Sequence, residues 1–328
     1  MDNLSIVTWN INGIRSRIFN SKTSAQLPKN KKIYPNSDSP IMNLINETNA
    51  DVICLQETRC DISIGKYFVI EGYKSYFNSS KGEGARSANR YSGTVIYTKY
   101  EPDNIEYQIP DYDDDEGRII IMYFNKYSLV IINVYTPNSG SNFKKRLEWQ
   151  ISFYNFLNKI KNEYENIIFA GDLNVSWRFE DVHINYKKSS SYKNENQASK
   201  YVGFLPDERK FLENLIEINY IDSFLECNCD SVNNKEWINE KQPNLFTGYT
   251  WWDPRTIKLV NPETNIPMCA MRLKNYGWRP DYILYHSENN KMICSKCLVL
   301  KHIGEESSPQ ASDHGVVHSY FTIKSSAK

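Results

Sequence analysis

An apolar run, Ile167-Ile168-Phe169-Ala170, breaks into Gly171-Asp172-Leu173-Asn174-Val175. A short apolar run bounded by a turn signal reads as a buried strand. Gly171 at its end lets the backbone turn sharply and approach a ligand closely. Asp172 and Asn174 stand two apart, so both project from the strand end on one side. A carboxylate suits a proton acceptor or a metal ligand, and an amide holds a phosphate oxygen without adding charge. Such a pair also makes ordinary Asx turns. Its weight comes from recurrence, because stretches of the same kind return along the chain.

Ser5 to Asn10 reads as a first strand and ends in Asn10-Ile11-Asn12-Gly13, again two amides two apart, with an Asn-Gly turn as the plainer alternative. Ala50 to Thr58 is a second strand with Glu57 at its end, where a charge must be paired, solvated or bound to a metal. Two apolar strands, Arg118 to Phe124 and Ser128 to Val134, flank a hairpin turn at Asn125-Lys126 and lead to Tyr135 and Asn138. Asp281 opens a strand after Asn275-Tyr276-Gly277-Trp278-Arg279-Pro280, and Asp313-His314 opens the last one. Helical spacing marks Ile41 to Glu47. It also marks Lys144 to Tyr164, with Leu147, Ile151, Tyr154, Leu157 and Ile160 on one face, and Pro206 starts a helix to about Ile216. Many short strands with few helices suggest two packed sheets with helices outside, and functional groups on loops at one end.

The segments 19–40, 183–202, 226–246 and 254–268 read as loops. Arg86 and Arg90, in a Gly- and Arg-containing loop, are candidates for a local phosphate-contacting patch, a solvated loop being equally consistent. Lys plus Arg equal Asp plus Glu at 39 each, so no global basic field marks a nucleic-acid binder. Any polyanion must be held by a local patch or a metal. No apolar run is long enough to span a bilayer and the start does not read as a signal or transit peptide, so the expectation is a soluble intracellular protein, nucleus and cytoplasm not separated. Seven scattered cysteines argue against a disulfide framework. Cys227-x-Cys229 with Cys294-x-x-Cys297 could form a four-thiolate zinc site. The absence of a Gly-rich knuckle favours core and incidental thiols instead.

The polar set is Asn10, Asn12, Glu57, Tyr135, Asn138, Asp172, Asn174, Asp281, Asp313 and His314. These are hard oxygen donors with one imidazole, and no Ser or Cys is paired with a base for acyl transfer. Oxygen ligands select Mg²⁺ or Mn²⁺, and Mg²⁺ uses one or two carboxylates plus substrate phosphate. That equipment suits metal-assisted phosphoester hydrolysis.

The chain resembles the exonuclease III-type apurinic/apyrimidinic (AP) endonucleases of the endonuclease/exonuclease/phosphatase superfamily. The matching stretches are Trp9-Asn10-Ile11-Asn12-Gly13, Leu55-Gln56-Glu57-Thr58, Tyr91-Ser92-Gly93, Glu116-Gly117-Arg118, Tyr135-Thr136-Pro137-Asn138, Gly171 to Val175, Asn275 to Tyr282 and Ser312-Asp313-His314. They run in family order over nearly the whole chain. The resemblance implies one α/β domain over residues 1–328, a four-layer sandwich of two mixed sheets with outer helices. It implies that Glu57 holds Mg²⁺ (Mn²⁺ as a substitute), with Asn12 beside it and Asp313 a further or alternative ligand. Asp172 would position or deprotonate the attacking water. His314, oriented by Asp281, would contact the scissile phosphate with Asn10 and Asn174, and Tyr135 and Asn138 would complete the cradle. Trp251, Trp278 and Pro280 would wall a pocket for a flipped-out abasic sugar, core packing being the plainer role of the two tryptophans.

The implied activity is cleavage 5′ to an AP site in double-stranded DNA by a monomer, leaving a 3′-hydroxyl, together with 3′-5′ exonuclease or 3′-end-cleaning activity on blocked ends. A mainly 3′-5′ exonuclease, a lipid or inositol phosphate phosphatase, and a silent nucleic-acid-binding module are the alternatives. The sequence departs from the family at Asn12, where some relatives carry Asp, at Tyr201, where Asn is usual, and at Trp251, bulkier than the usual Phe. The stretch 254–268 lengthens the loop that wedges into DNA in relatives, so no wedge residue is assigned.

Overall fold

The computed structural model describes residues 2–15, 31–81, 91–140, 142–183, 194–228, 248–255, 258–260, 262, 267–301, 303 and 311–324. In chain order these begin with β1 (Asn3–Asn10), α1 (Pro40–Thr48), β2 (Val52–Gln56), α2 (Ile62–Gly65), β3 (Lys74–Asn78) and β4 (Thr94–Thr98). Next come β5 (Asn104–Glu106), β6 (Ile119–Phe124), β7 (Leu129–Tyr135), α3 (Phe143–Ile160), β8 (Asn166–Asp172), α4 (Glu195–Ala198) and α5 (Pro206–Glu217). The rest are β9 (Ile221–Asp222), α6 (Ser223–Cys227), β10 (Lys258–Val260), β11 (Pro267–Cys269), α7 (Ala270–Leu273), β12 (Asp281–Ser287), β13 (Met292–Leu300) and β14 (Val316–Ile323).

Two six-stranded sheets result, in the orders β13-β14-β1-β2-β4-β3 and β5-β6-β7-β8-β12-β9, with β10 and β11 as a separate ribbon. Each sheet is antiparallel except for one pair near its centre, β1 with β2 and β7 with β8. A parallel pair brings two strand C-termini to the same edge. Asn10 therefore lies beside Gln56, next to Glu57, and Tyr135 lies beside Asp172. The antiparallel neighbour β12 starts where β8 ends, so Asp281 pairs with Asp172.

Both faces of the central strands are buried, which explains their continuous apolar runs. On β8, Ile168 and Ala170 enter the core between the sheets, packed with Ile6, Cys54 and Ile131. Ile167 and Phe169 point the other way, under Trp149, Phe153, Phe211 and Leu215 of α3 and α5. On the far side Ile41 and Leu44 of α1 cover Val7, Ile53 and Val95. Helices, sheet, sheet and helices make the four layers that the resemblance implied.

Inside this apolar core one polar pair joins the sheets. Gln56 Nε2 donates to Asn133 Oδ1 at 2.7 Å and to Thr8 Oγ1 at 2.8 Å, while Asn133 Nδ2 donates to the carbonyls of Leu55 (3.0 Å) and Val95 (2.8 Å). A buried amide pair bonded in this way fixes the register of one sheet on the other, although Gln56 Oε1 itself has no partner.

Four expectations need correction. The buried face of α3 is Trp149, Phe153, Phe156, Leu157 and Ile160, whereas Ile151 is 60% exposed and Leu147 and Tyr154 are only half-buried. The aromatic residues repeat at the same three- and four-residue steps, a few positions round the helix, and larger buried area decides which stripe turns inward. Gly171 does not turn the chain toward a ligand but lies within β8, where a Cβ would sit 1.8 Å from the carbonyl oxygen of Val134 on β7. Only glycine permits that approach of backbones. In the 254–268 stretch, Lys258–Val260 and Pro267–Cys269 pair as the β10–β11 ribbon. Within 183–202 the described residues form α4 (Glu195–Ala198) where a loop was expected, while 16–30, 184–193 and 229–247 lie outside the described residues. No helix among the described residues is long and apolar enough to cross a membrane.

Candidate active site

Four strand ends and two connections meet at one edge of the sandwich. Asn10, the last residue of β1, is the hub. Its Nδ2 donates to Glu57 Oε1 at 3.0 Å and to Asp172 Oδ2 at 2.9 Å. Its Oδ1 accepts from the backbone N of Asn12 at 3.1 Å, and Asp172 Oδ1 accepts from the backbone N of Asn174 at 2.8 Å. These are Asx turns, so the plainer sequence reading holds alongside the one that places these residues in a site. Asn12, Glu57 and Asn174 all take left-handed backbone conformations, φ 48°, 52° and 51°. For Glu57 that conformation is unfavourable and is sustained by the surrounding contacts.

Glu57 is held on both carboxylate oxygens. Oε1 accepts from the Tyr135 hydroxyl at 2.7 Å, and Oε2 accepts from Arg59 Nε at 2.9 Å and from Arg59 Nη2. Tyr135 therefore spends its hydroxyl proton on Glu57. Burial and then the Glu57 charge hold that phenol well above the usual range. The Arg118 guanidinium lies 4.9 Å from the Tyr135 ring centre and fixes it from behind.

Asp281 accepts from Thr250 Oγ1 at 2.6 Å and lies 2.9 Å from His314 Nδ1 through the same oxygen. Nδ1 is thereby the donor, and Nε2 is the nitrogen that stands 4.0 Å from Asp172 Oδ2. Burial alone would lower the His314 pKa, but the Asp281 carboxylate reverses this and raises it to about 10. Burial and then Asp281 push the Asp172 carboxyl up to about 7, against the pull of His314. Asp172, Asp281 and His314 can place three ligand-type atoms within 4.8 Å of one another. One imidazolium between two carboxylates is a proton-transfer arrangement in its own right.

Asp313 uses Oδ1 to accept from Asn12 Nδ2 at 3.1 Å and Oδ2 to accept from Trp251 Nε1 at 3.0 Å. Burial would raise its pKa, but His314, Trp251 and Asn12 together hold it below the usual range. Asn174 donates to the carbonyl of Thr136 at 2.9 Å and accepts from Asn138 Nδ2 at 3.2 Å, which joins the Asn138 turn to the β8 end.

These groups open onto a cavity of about 340 Å³. Trp251, Trp278 and Pro280 form its wall, with Val202, Gly203 and Arg255 at the rim. Trp278 is 6% exposed and packs with Val182, Ala198 and Phe204, so it is at once core and wall. Asn10 and Asp281 stand behind the lining and hold Glu57, Asp172 and His314, while Asn12 reaches the lining through its bond to Asp313. Arg86 and Arg90 lie outside the described residues. Sequence reasoning missed Arg59, Thr250, Val202 and Arg255. Only Arg59 carried a local signal, two residues after Glu57.

The Gly-Trp-Arg-Pro-Asp stretch divides its labour. Arg279 faces away from the cavity, with Nε 3.0 Å from Asp181 and Nη1 2.7 Å from Asp222, fully buried. That anchor sets Trp278 on one side and Asp281 on the other. At the other end of the chain, Trp9 Nε1 donates to the His314 carbonyl at 3.1 Å and Ser312 Oγ donates to the Asn10 carbonyl at 2.5 Å.

A profile described as the Endonuclease/Exonuclease/phosphatase family matches residues 7–314, which spans every group named above. The chain belongs to this family. The Bacillus subtilis exodeoxyribonuclease is 25% identical over 93% of this chain and 97% of that protein. A Dictyostelium discoideum DNA-(apurinic or apyrimidinic site) endonuclease is 28% identical over 86% of this chain and 62% of that protein. Among solved structures, an AP endonuclease from Archaeoglobus fulgidus has a TM-score of 0.67 at 22% identity, covering 96% of this chain and 98% of that one. The family expectation drawn from the motifs stands, and the enzyme class implied is that of these exonuclease III-type relatives.

Proposed function

We propose that this chain is a Mg²⁺-dependent DNA repair nuclease that hydrolyses the phosphodiester 5′ to an AP site, leaving a 3′-hydroxyl. One observation carries the reading. A buried carboxylate, Asp172, and a buried imidazolium, His314, face the same cavity 4.0 Å apart, one able to take a proton and the other to hold charge against phosphate.

The donor set fits a hard divalent cation. Glu57 and Asp313 are carboxylates and Asn12 an amide, all oxygen donors, linked into one chain through Asn10 and Asp172 on one side and the Asn12–Asp313 contact on the other. Glu57 would be the principal ligand, once Arg59 swings aside, with Asn12 beside it and Asp313 as the further one. When bound, Mg²⁺ supplies positive charge against the phosphate oxygens. The protein's own groups do the rest. Asn10 orients Asp172, which takes the proton of the attacking water. Asp281 and Thr250 hold His314 with Nε2 toward the phosphate. Asn174 and Asn138 offer amides to its remaining oxygens, and Tyr135 steadies Glu57. Little covalent chemistry is needed from the protein beyond this placement.

The wall of Trp251, Trp278 and Pro280 would receive a sugar without its base. An abasic nucleotide is extruded cheaply because its stacking is already lost, and a normal nucleotide is rejected by size. Double-stranded DNA is thus the partner, bound by a chain acting as one domain and as a monomer. A mainly 3′-exonucleolytic enzyme that also cleans blocked ends is the second reading, favoured by the Bacillus subtilis relative being named an exodeoxyribonuclease.

The test is cleavage of a labelled duplex with one abasic-site analogue, with Mg²⁺, with Mn²⁺ and with EDTA, beside an undamaged duplex and one ending in a 3′-phosphate. Incision 5′ to the analogue that requires the cation supports the proposal. Removal of 3′-terminal groups without internal incision selects the second reading. Release of phosphate from a soluble phosphoester alone would overturn both.

A further inference from the structure

At the opposite end of the strands lies a second cluster of ligand-type side chains. Cys294 on β13 pairs with Phe321 of β14, which pairs with Leu4 of β1. Asn10, at the site described above, is six strand residues on from Leu4, roughly 20 Å away. Here Cys227 Sγ stands 3.5 Å from Cys294 Sγ. A carboxylate oxygen of Glu226 joins them, all three atoms within 4.8 Å of one another.

Local structure explains the convergence. In a regular strand Cys294 and Cys297, three apart, would face opposite ways. The register of β13 slips between Cys294 and Lys296, so Ser295 bulges out and both cysteines turn inward. Cys297 is then taken up by Ser223, 3.8 Å away, and does not join the cluster, while Cys229 lies outside the described residues. The four-thiolate arrangement considered from the sequence is thus not what forms. The short helix α6 instead lays Glu226 and Cys227 against Cys294. Tyr285, buried on β12, donates its hydroxyl to Glu226 Oε2 at 2.7 Å and holds that carboxylate in place.

Contact with Cys294 lowers the Cys227 pKa while that of Cys294 rises, and the carboxylate beside them opposes the loss of both protons together. That loss becomes favourable once a cation sits among the three groups. Thiolates on adjacent vertices of a tetrahedral zinc site lie about 3.8 Å apart, close to the spacing here, whereas a disulfide needs about 2.0 Å.

We infer that Glu226, Cys227 and Cys294 form a binding site for one soft divalent cation of the zinc class, pinning α6 to β13, these three being its ligands among the described residues. Binding releases two protons, one from each thiol, as two metal–sulfur bonds form. No electrons are exchanged. Two thiolates select zinc-class ions over Mg²⁺, so this site and the oxygen-lined one fill independently. A hydrogen-bonded outer partner such as Tyr285 is what an engaged ligand carries.

The experiment uses the full chain, stripped of metal under a non-thiol reductant and dialysed against Co²⁺ and then Zn²⁺ in excess Mg²⁺. One cobalt per chain with sulfur-to-cobalt charge-transfer absorption, displaced by zinc, is the expected result. Cys227→Ser, at a half-buried position, should lose most of that absorption. Tyr285→Phe should keep the sulfur spectrum and weaken binding by about 10–100-fold. Absence of the sulfur band in the folded wild-type chain overturns the inference. So does equal uptake by Cys227→Ser, or isolation of Cys227 and Cys294 as a disulfide that takes up no metal after reduction. None of these readings depends on DNA cleavage.

Discussion

His314 presents Nδ1 to the Asp281 carboxylate at 2.9 Å, and both side chains are buried. The pair keeps the imidazole protonated up to about pH 10, although burial works against the charge. Replacing Asp281 by Ala removes the largest charge that raises this pKa and leaves only Asp172 and Asp313 to oppose burial, so the imidazole should titrate lower. We expect kcat to fall by about 10²–10⁴-fold, with an NMR titration placing the His314 pKa below that of the wild type. An unchanged imidazole titration in Asp281→Ala would contradict this account of the pair.

In the role proposed for it, Asp172 needs its carboxylate free of a proton to accept one from water. With its pKa pushed up to about 7, kcat/KM should fall by about tenfold per pH unit below that value. Above it the rate should plateau, then decline near pH 10 as His314 loses its charge. Asp172→Asn should remove the acid limb together with most of the activity. A pH profile flat from 5 to 7 in the wild type would place the accepted proton elsewhere.

Arg59 occupies the Glu57 oxygen that the proposed cation would take. Arg59→Met should therefore lower the Mg²⁺ concentration needed for half-maximal cleavage, while Glu57→Gln raises it. A metal titration of both variants separates this from a role for Arg59 in binding DNA, which would change KM for the duplex and leave the Mg²⁺ dependence alone.

The Arg279 guanidinium is 1% exposed and carries two carboxylate partners, Asp181 and Asp222. Arg279→Met leaves both carboxylates buried without it and should destabilise the fold by about 3–5 kcal/mol in denaturant titration. Such a loss would register before any effect on chemistry, because Trp278 and Asp281 hang from this anchor.

Stability should also fall in acid for a reason separate from the active site. Burial lowers the pKa of both His183 and His318 to about 4, with Lys296 reinforcing the effect at His318. The unfolded chain binds these protons first, near pH 6.5, so stability is complete above that value and drains away as pH falls toward 4. Each site contributes on the order of 2 kcal/mol across that window. Urea midpoints for the wild type and His183→Phe at pH 7 and pH 4.5 check the sign. The variant should lose less than the wild type on acidification.

The strand ends were legible because apolar runs in this chain stop where the layers stop. Asn10, Glu57, Tyr135 and Asp172 each follow such a run, and the structure gathers them. Thr250 was not legible, since a hydroxyl supporting Asp281 from a separate segment leaves no local pattern. Gly171 was misread because its requirement is the carbonyl of Val134 on a neighbouring strand, a contact between distant parts of the chain. The buried face of α3 was misjudged for a related reason. Two stripes share one spacing, and the choice between them depends on what Phe169 and Phe211 leave room for across the interface.

The strand that opens the described chain, β1, lies in the middle of its sheet, between β2 and the last strand, β14. Trp9 and Asn10 wait for His314 and Ser312, some three hundred positions later. A ribosome must therefore reach β14 before that sheet can close. Chains that stop short of Ser312 would lack the imidazole and its backbone support together. Copies that stop before that point would reach neither the closed sheet nor the gathered cluster.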